Sequence, residues 1–306
     1  MKFEKVEHIK VTENLTVKDL VESMHKSGVM QAGKIGKASQ IYLDMYNDDC
    51  SIFLGAAGAL IPGGMRELLI DILENGKIKV FVCTGAMLTH DLIEALGDKH
   101  FKGHHLMSDS ELNKKGYDRM YDSLMSNQVY FKLEKFFEDN ISHFENKKMN
   151  IREFTNLLGS LIKERSILKI CFDKKIPIFC PAISDSGIGL MIWGQLSKKK
   201  NINVDVFDDL KDIIEISWTS NKCGVFYFGG GVPKNYIQQA MQFSPKTASY
   251  GIQITTDNEH FGGSSGAPLR EGISWGKMDE NGKFVDVHCD VTIALPLIWG
   301  YVKSKI

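Results

Sequence analysis

The sequence predicts an α/β protein: a doubly wound, mostly parallel Rossmann-like sheet with helices on both faces and an N-terminal helical arm. Two observations lead there. A short β-branched or aromatic run, a loop of small residues and a helical pattern follow one another repeatedly, and strands alternating with helices form parallel sheets covered on both faces. The glycine-rich loops fall behind the strands, at the carboxyl ends where such sheets bind ligands.

Residues 14–50 read as amphipathic helix and form the arm. "SIFLGAAGALIPGGMRELLIDILENG" then predicts a strand near 51–54, a Gly/Ala loop and a helix ending at Gly76. "IKVFVCTGAMLTHDLIEALG" repeats the pattern, with Thr89 as N-cap and Gly97 as the stop. Residues 105–173 form an insertion expected to be mainly helical. Its two helical patterns are "YDRMYDSLMSNQVYFKLEKFFEDNI" and "IREFTNLLGSLIKERSILKICFDKK", joined by the polar linker "HFENKKMN". "IPIFCPAISDSGIGLMIWGQL" is a third unit and "LSKKKNINVD" a solvated basic turn. "GVFYFGGGVPKNYIQQAMQ" is a fourth, "YGIQITT" a fifth strand with a longer loop behind it, and "FVDVHCDVTIALPLIWGYV" closes the series. With no low-complexity segment and no domain boundary, residues 1–306 read as one domain.

At 306 residues with a formal net charge of -1 the chain buries a large core and carries no basic footprint, which argues against nucleic acid as the main partner. The six cysteines show no metal-ligand spacing, so no metal site is expected. They sit mostly in apolar runs, as reduced core thiols do in a reducing compartment. The polar N-terminus does not read as a signal peptide, and no apolar run has membrane-spanning length. A soluble cytoplasmic protein without membrane contact is the expectation.

"GAAGA", "CTGA", "SDSGIG", "FGGGVPK", "TTDNEHFGGSSGA" and "HCDV" all follow strands. Small residues let backbone approach a ligand, and a helix N-terminus behind the loop favours an anion such as a pyrophosphate. A single such loop serves equally as a tight turn; several in register point to a dinucleotide. Asp185 and Asp290 each follow a strand, as ribose-binding carboxylates or as helix N-caps. His90 lies in the first turn of its expected helix, as a packing residue or a site residue.

In "REGISWGKMDENG", Lys277 follows an aromatic–glycine pair. A surface lysine is one reading. The other is a nucleophile: burial against an apolar or aromatic wall disfavours the charged form of a lysine and frees the amine to form an imine, and Trp275 offers such a wall.

"GGSSGAPLREGISWGK" followed by "VDVHCDVTIALPL", with "FGGGVPK" upstream, resembles the C-terminal half of the deoxyhypusine synthase family. "FLGAAGALIPGGMRELL", "CTGAMLTHDLIEAL" and "PAISDSGIG" are similar to its earlier segments, in the same order. The resemblance runs from about residue 28 to the end. It implies NAD as cofactor and a transfer of the aminobutyl group of spermidine through an imine on Lys277. The acceptor is a lysine of a translation initiation factor in deoxyhypusine synthases, and putrescine in homospermidine synthases. The NAD contacts would fall on Gly58, Ala59, Leu60, Ile61, Pro62, Thr84, Gly85, Ala86, Asp185, Gly230, Thr256, Asp257, Asp290 and Val291. The amine pocket would use Gly262, Gly263, Ser264, Glu271, Trp275 and Lys277, with His90 and Asn235 at further substrate positions. A homotetramer with active sites between paired subunits is implied as well.

The sequence departs from that pattern in its recognition residues. Leu190, Ser264 and Phe261 stand where the family has acids, His90 where it has glutamate, and Asn235 where it has histidine, while Glu271 is kept. A charge-assisted hydrogen bond from a polyamine ammonium to a carboxylate is worth about 1.5–3 kcal/mol, and each substituted acid forgoes one. Either Glu259 and Asp257 take over or the amine differs. Two readings outside the transferase class are a non-catalytic NAD-binding partner subunit and a plain NAD dehydrogenase.

Overall fold

The structure is a computed structural model that describes residues 3–306. The first elements are α1 (Val17–Ser27), α2 (Met30–Asn47), β1 (Ser51–Ala56), α3 (Arg66–Asn75), β2 (Ile78–Cys83) and α4 (Gly85–Ala95). The middle of the chain holds β3 (Phe101–Lys102), α5 (Asp109–Lys114), β4 (Tyr117–Met120), β5 (Ser123–Ser126), α6 (Val129–Asp139), α7 (Ile141–Phe144), β6 (Lys148–Asn150), α8 (Ile151–Leu161) and α9 (Ile167–Lys174). There follow β7 (Ile178–Phe179), α10 (Gly187–Ser197), β8 (Asn203–Asp205), α11 (Asp208–Thr219), β9 (Cys223–Phe228), α12 (Gly231–Gln242), β10 (Ala248–Thr255), β11 (Met278–His288) and α13 (Val291–Lys303). The main sheet has the order β11-β10-β9-β1-β2-β7. The β11/β10, β10/β9, β9/β1 and β2/β7 pairs are all parallel, and helices flank the sheet as the alternation predicts.

The chain forms two compact units. One comprises the residues up to Ala56, Gly76–Val80 and Ile213–Ile306; the other comprises Ala57–Asn75 and Phe81–Asp212. In the first, β9 is buried along its whole length, as a central parallel strand must be. The arm is α1 and α2. Thr16 opens α1 with a capping box, accepting from the Asp19 N–H while Asp19 accepts from the N–H of Thr16. Tyr42 of α2 is fully buried, meets the rings of Phe226 and Trp299 edge-on at 5.3 and 5.7 Å, and donates its hydroxyl to Gly76 O at 2.8 Å.

The second unit is less helical than its sequence suggests. The pattern "YDRMYDSLMS" forms β4 and β5, which with β3 make a small antiparallel sheet in the order β3-β5-β4; only from Val129 does the helix run. Gly116 and Tyr121, both with positive φ, break the helical path on either side of β4. The end of the polar linker "HFENKKMN" becomes β6, which pairs in parallel with β8 from the basic turn. Thr89 is not the cap of α4. Thr84 is, accepting from the Met87 N–H at 3.3 Å, so the helix starts directly behind β2. Thr89 lies inside the helix, donates to Gly85 O at 2.9 Å and accepts from the Ile188 N–H at 3.1 Å.

Asp91 anchors this unit. It is fully buried, accepts from Arg66 Nε at 2.9 Å and from the Leu168 N–H at 3.0 Å, and so ties α3 and α9 to α4. Burial pushes its carboxyl pKa up, with Arg66 opposing. Removing one member of a buried pair strands the other charge. Asp91→Ala should therefore destabilise the fold by about 3–5 kcal/mol, read as a lower urea midpoint; a midpoint within error of wild type would show that the pair carries no such weight.

Candidate active site

Lys277 is the last residue before β11, and its backbone is held on both sides. Its N–H donates to Gly272 O at 2.9 Å, closing the turn that follows the 3-10 helix Leu269–Ile273. Its carbonyl accepts from the Ala248 N–H at 3.1 Å, at the start of β10. Gly276 sits in the turn at φ +66°, a left-handed conformation in which side chains are strained. The result is a side chain of fixed origin whose Nζ lies 4.9 Å from the centroid of the Trp275 ring. Trp275 is 56% exposed, so its other surface is free to meet a ligand.

The two residues line a cavity of about 360 Å³ within the first unit. Its walls come from one side of α12 between Lys234 and Gln242, the loop 262–268 and the 3-10 turn. Of the sequence-derived amine-pocket residues it brings together Asn235, Gly262, Ser264, Glu271, Trp275 and Lys277. Gln238, Gln239 and Gln242 of α12 complete one side. Among the described residues Glu271 is the only carboxylate on the wall. Asp257 and Glu259 are not on it: Asp257 is committed to the Ser265 hydroxyl and to the Asn258 N–H, and these bonds hold its carboxyl below the usual range. Phe261 is exposed in the same loop, and Gly263 lies beside Asp257 rather than on the wall.

A second lysine lines this cavity. Lys234 is 6% exposed, in the first turn of α12. Its Nζ donates to Gln253 Oε1 at 2.8 Å, to Ser264 O at 2.7 Å and to Ala267 O. Burial lowers its pKa to about 8, while Asp286 and Glu271 favour the charge and Lys277 opposes it. With three acceptors around three N–H groups, the ammonium is fully engaged and offers no lone pair; Lys277 has no such set. Sequence reasoning misses Lys234, Gln253 and the three glutamines. The available signal is a cation on the apolar face of α12, beside Pro233, Ile237 and Met241, and a glutamine inside the apolar run of β10.

The residues expected to contact a dinucleotide each follow their own strand. In the first unit, Gly230 and Gly231 open α12, whose N-terminus has no side-chain cap, and Gly231 is at φ +57° with open space where a Cβ would be. Thr256 is exposed behind β10. Asp290 is the N-cap of α13, accepting from the Thr292 N–H at 2.8 Å, and Val291 is buried behind it. In the second unit, Gly58 stands at φ +93° with nothing near its Cβ position, in the turn 58–65 that includes Ala59, Leu60, Ile61 and Pro62. Thr84, Gly85 and Ala86 form the start of α4, and a Cβ on Gly85 would sit 2.6 Å from the Ser186 side chain. Asp185 is exposed and caps nothing; Ser186 is the N-cap of α10. Leu190 lies exposed on that helix.

His90 also belongs to the second unit. Its Nδ1 is 2.9 Å from His100 Nε2, and His100 Nδ1 is 2.8 Å from Glu94 Oε1. Burial and then His100 push its pKa down to about 4.

A family model for deoxyhypusine synthase matches residues 19–302. The chain belongs to the deoxyhypusine synthase family. This is a family of transferases, and several relatives carry the name. A "Probable deoxyhypusine synthase" of Methanosarcina thermophila is 40% identical over 98% of this chain and 95% of its own length. A "Probable deoxyhypusine synthase 1" of Archaeoglobus fulgidus is 36% identical over 96% of each. The fold of this family member is also that of an Entamoeba histolytica crystal structure identified as a deoxyhypusine synthase candidate, at a TM-score of 0.65 and 18% identity over 97% of both chains. Among the described residues no group of three His, Cys, Asp or Glu is placed to hold a metal ion, and no helix is long and apolar enough to cross a membrane. The six cysteines are unpaired, and five of them are buried.

The His90 geometry makes a pH prediction. Its folded pKa of about 4 lies below the ordinary 6.5, so between those values the unfolded chain binds the proton first. Stability from this group is therefore lost as pH falls from about 6.5 towards 4. NMR titration should find the His90 ring neutral at pH 6; a midpoint near 6.5 would refute the buried relay.

Proposed function

We propose that the protein is an NAD-dependent aminobutyltransferase that takes the aminobutyl group from spermidine onto Lys277 and passes it to an acceptor amine. The acceptor in this reading is a lysine of a translation initiation factor, as the resemblance to deoxyhypusine synthases implies. The observation that carries the reading is the placement of the Lys277 amine over Trp275, in a cavity that also holds Glu271.

An amine attacks through its lone pair. Lys277 adds to the oxidised carbon of the donor, forming a new C–N bond as the C–N bond to 1,3-diaminopropane breaks, and the butylamine fragment is left as an imine on the enzyme. The acceptor amine then adds to the same carbon and displaces Lys277. Trp275 presents its ring to the cationic donor, and Glu271 accepts from one of its ammonium groups. The amide oxygens of Asn235, Gln238 and Gln239 accept from the others in place of further carboxylates. A bound NAD would supply reversible hydride chemistry, the hydride of the donor being kept for the transferred group so that none is consumed. The helix N-termini at Thr84–Ala86 in one unit and at Gly230 in the other are each of the kind that suits a pyrophosphate. Gly58–Pro62, Asp185, Thr256, Asp257, Asp290 and Val291 are the further contacts that the family resemblance implies. The unpaired buried thiols suit the cytoplasm. The working form is a homotetramer.

Incubation with NAD and radiolabelled spermidine, followed by borohydride, should fix label on the wild-type chain and none on Lys277→Ala. An unlabelled wild type that binds NAD would sink the reading in favour of a non-catalytic subunit. NADH accumulating in Lys277→Ala as in wild type would favour a dehydrogenase. Homospermidine formed from putrescine without any protein acceptor would replace the protein lysine by a small diamine.

A further inference from the structure

Lys234 is buried beside the proposed nucleophile, and the reaction proposed above gives it no step. Its three acceptors are informative. Gln253 is a fully buried side chain on β10, while Ser264 O and Ala267 O belong to the loop that forms the cavity wall. Gln253 adds two bonds of its own, from Nε2 to Ser265 O at 2.7 Å and to Gly229 O at 3.2 Å. Asp286 of β11 accepts from the Leu269 N–H at 3.0 Å. The loop between Ser264 and Leu269 is thus drawn down by three polar side chains from three elements, and the one bearing the positive charge lines the cavity.

A buried lysine is an expensive way to satisfy two carbonyls, because desolvation penalises its charge. Water or an uncharged donor would satisfy them as well. An ammonium differs in offering three N–H groups from one point, so it draws both loop carbonyls and Gln253 to a single centre. We propose that Lys234 is the positioning residue of the amine pocket: its ammonium group centres the 264–267 backbone on α12 and β10, setting the wall against which the donor amine lies. The role in donor binding rests on the transferase reading above; the role in holding the loop does not.

The charged groups facing Lys234 are Asp286 from β11, Glu271 from the 3-10 turn and Lys277. The first two favour its charge and the third opposes it. As pH rises through about 8 the ammonium becomes an amine with two N–H groups for three acceptors, and one hydrogen bond goes with the proton.

Hydrogen exchange of the free protein tests the loop. In Lys234→Met, peptides covering 262–268 should exchange about tenfold faster or more, while β9 keeps its protection and Lys234→Arg lies between. In wild type the protection factor of the same peptides should drop between pH 7 and pH 9, and in Lys234→Arg it should not. Loop protection unchanged in Lys234→Met would overturn the proposal. Should that variant unfold, as lost β9 protection would reveal, a pH-independent loop in wild type overturns it instead. For the donor, the spermidine concentration giving half-maximal borohydride label should rise about tenfold in Lys234→Met, with the label at saturation within about threefold of wild type; an unchanged half-saturation would remove Lys234 from donor binding. If wild type takes no label at all, the transferase reading fails while the exchange result still stands or falls alone.

Discussion

Gly230 occupies a point where no side chain fits. A methyl group there would lie 2.3 Å from Ser265 Cα, so the turn between β9 and α12 and the loop 262–268 touch backbone to backbone. Gly266 repeats the constraint inside the loop, where a Cβ would lie 2.2 Å from Asn258 O. Two chain segments this close leave no room for solvent between them, and their polar groups must be satisfied by side chains reaching in from α12 and from the sheet. Lys234, Gln253 and Asp286 do so. The cavity wall, the direction of the 3-10 turn that follows, and through it the origin of the Lys277 side chain all descend from that close approach.

The two lysines of the cavity show how surroundings divide one residue type into two roles. Both are on the wall, yet one has all its protons spoken for and the other rests over an indole ring. The division is made by backbone carbonyls rather than by charge partners. The cavity wall is poor in carboxylates: the amides of Asn235, Gln238, Gln239 and Gln242 line it, and Glu271 is its anionic residue among the described residues. An amide oxygen accepts from an ammonium without adding a charge that must itself be desolvated, so under the proposed function such a pocket would select an amine by geometry more than by net attraction.

Much of the fold is legible without coordinates. The alternation of apolar runs with helical periodicity locates β1, β2, β9, β10 and their helices, because strands buried on both faces have few polar choices. The loop glycines are legible for a related reason: Gly58, Gly231 and Gly276 adopt φ values open to few other residues. The segment around Tyr117–Ser126 reads as helix and folds as strands, because short amphipathic runs fit either periodicity and only pairing with β5 decides between them. The cap of α4 is Thr84 rather than the expected Thr89, because the helix starts directly behind β2 and takes Thr89 into its interior.

The family, the glycine loops and the Ser-Trp-Gly-Lys run with Lys277 in it were determined by the sequence itself, because local backbone requirements and the spacing of chemistry-bearing residues are one-dimensional properties. What surrounds Lys277 was not. That Lys234 turns inward to two carbonyls, that Asp257 is spent on Ser265, and that His90 bonds to His100 all depend on residues brought together from distant parts of the chain. Hydrogen-bond partners and desolvation are properties of neighbours in space, and only the tertiary structure assigns them.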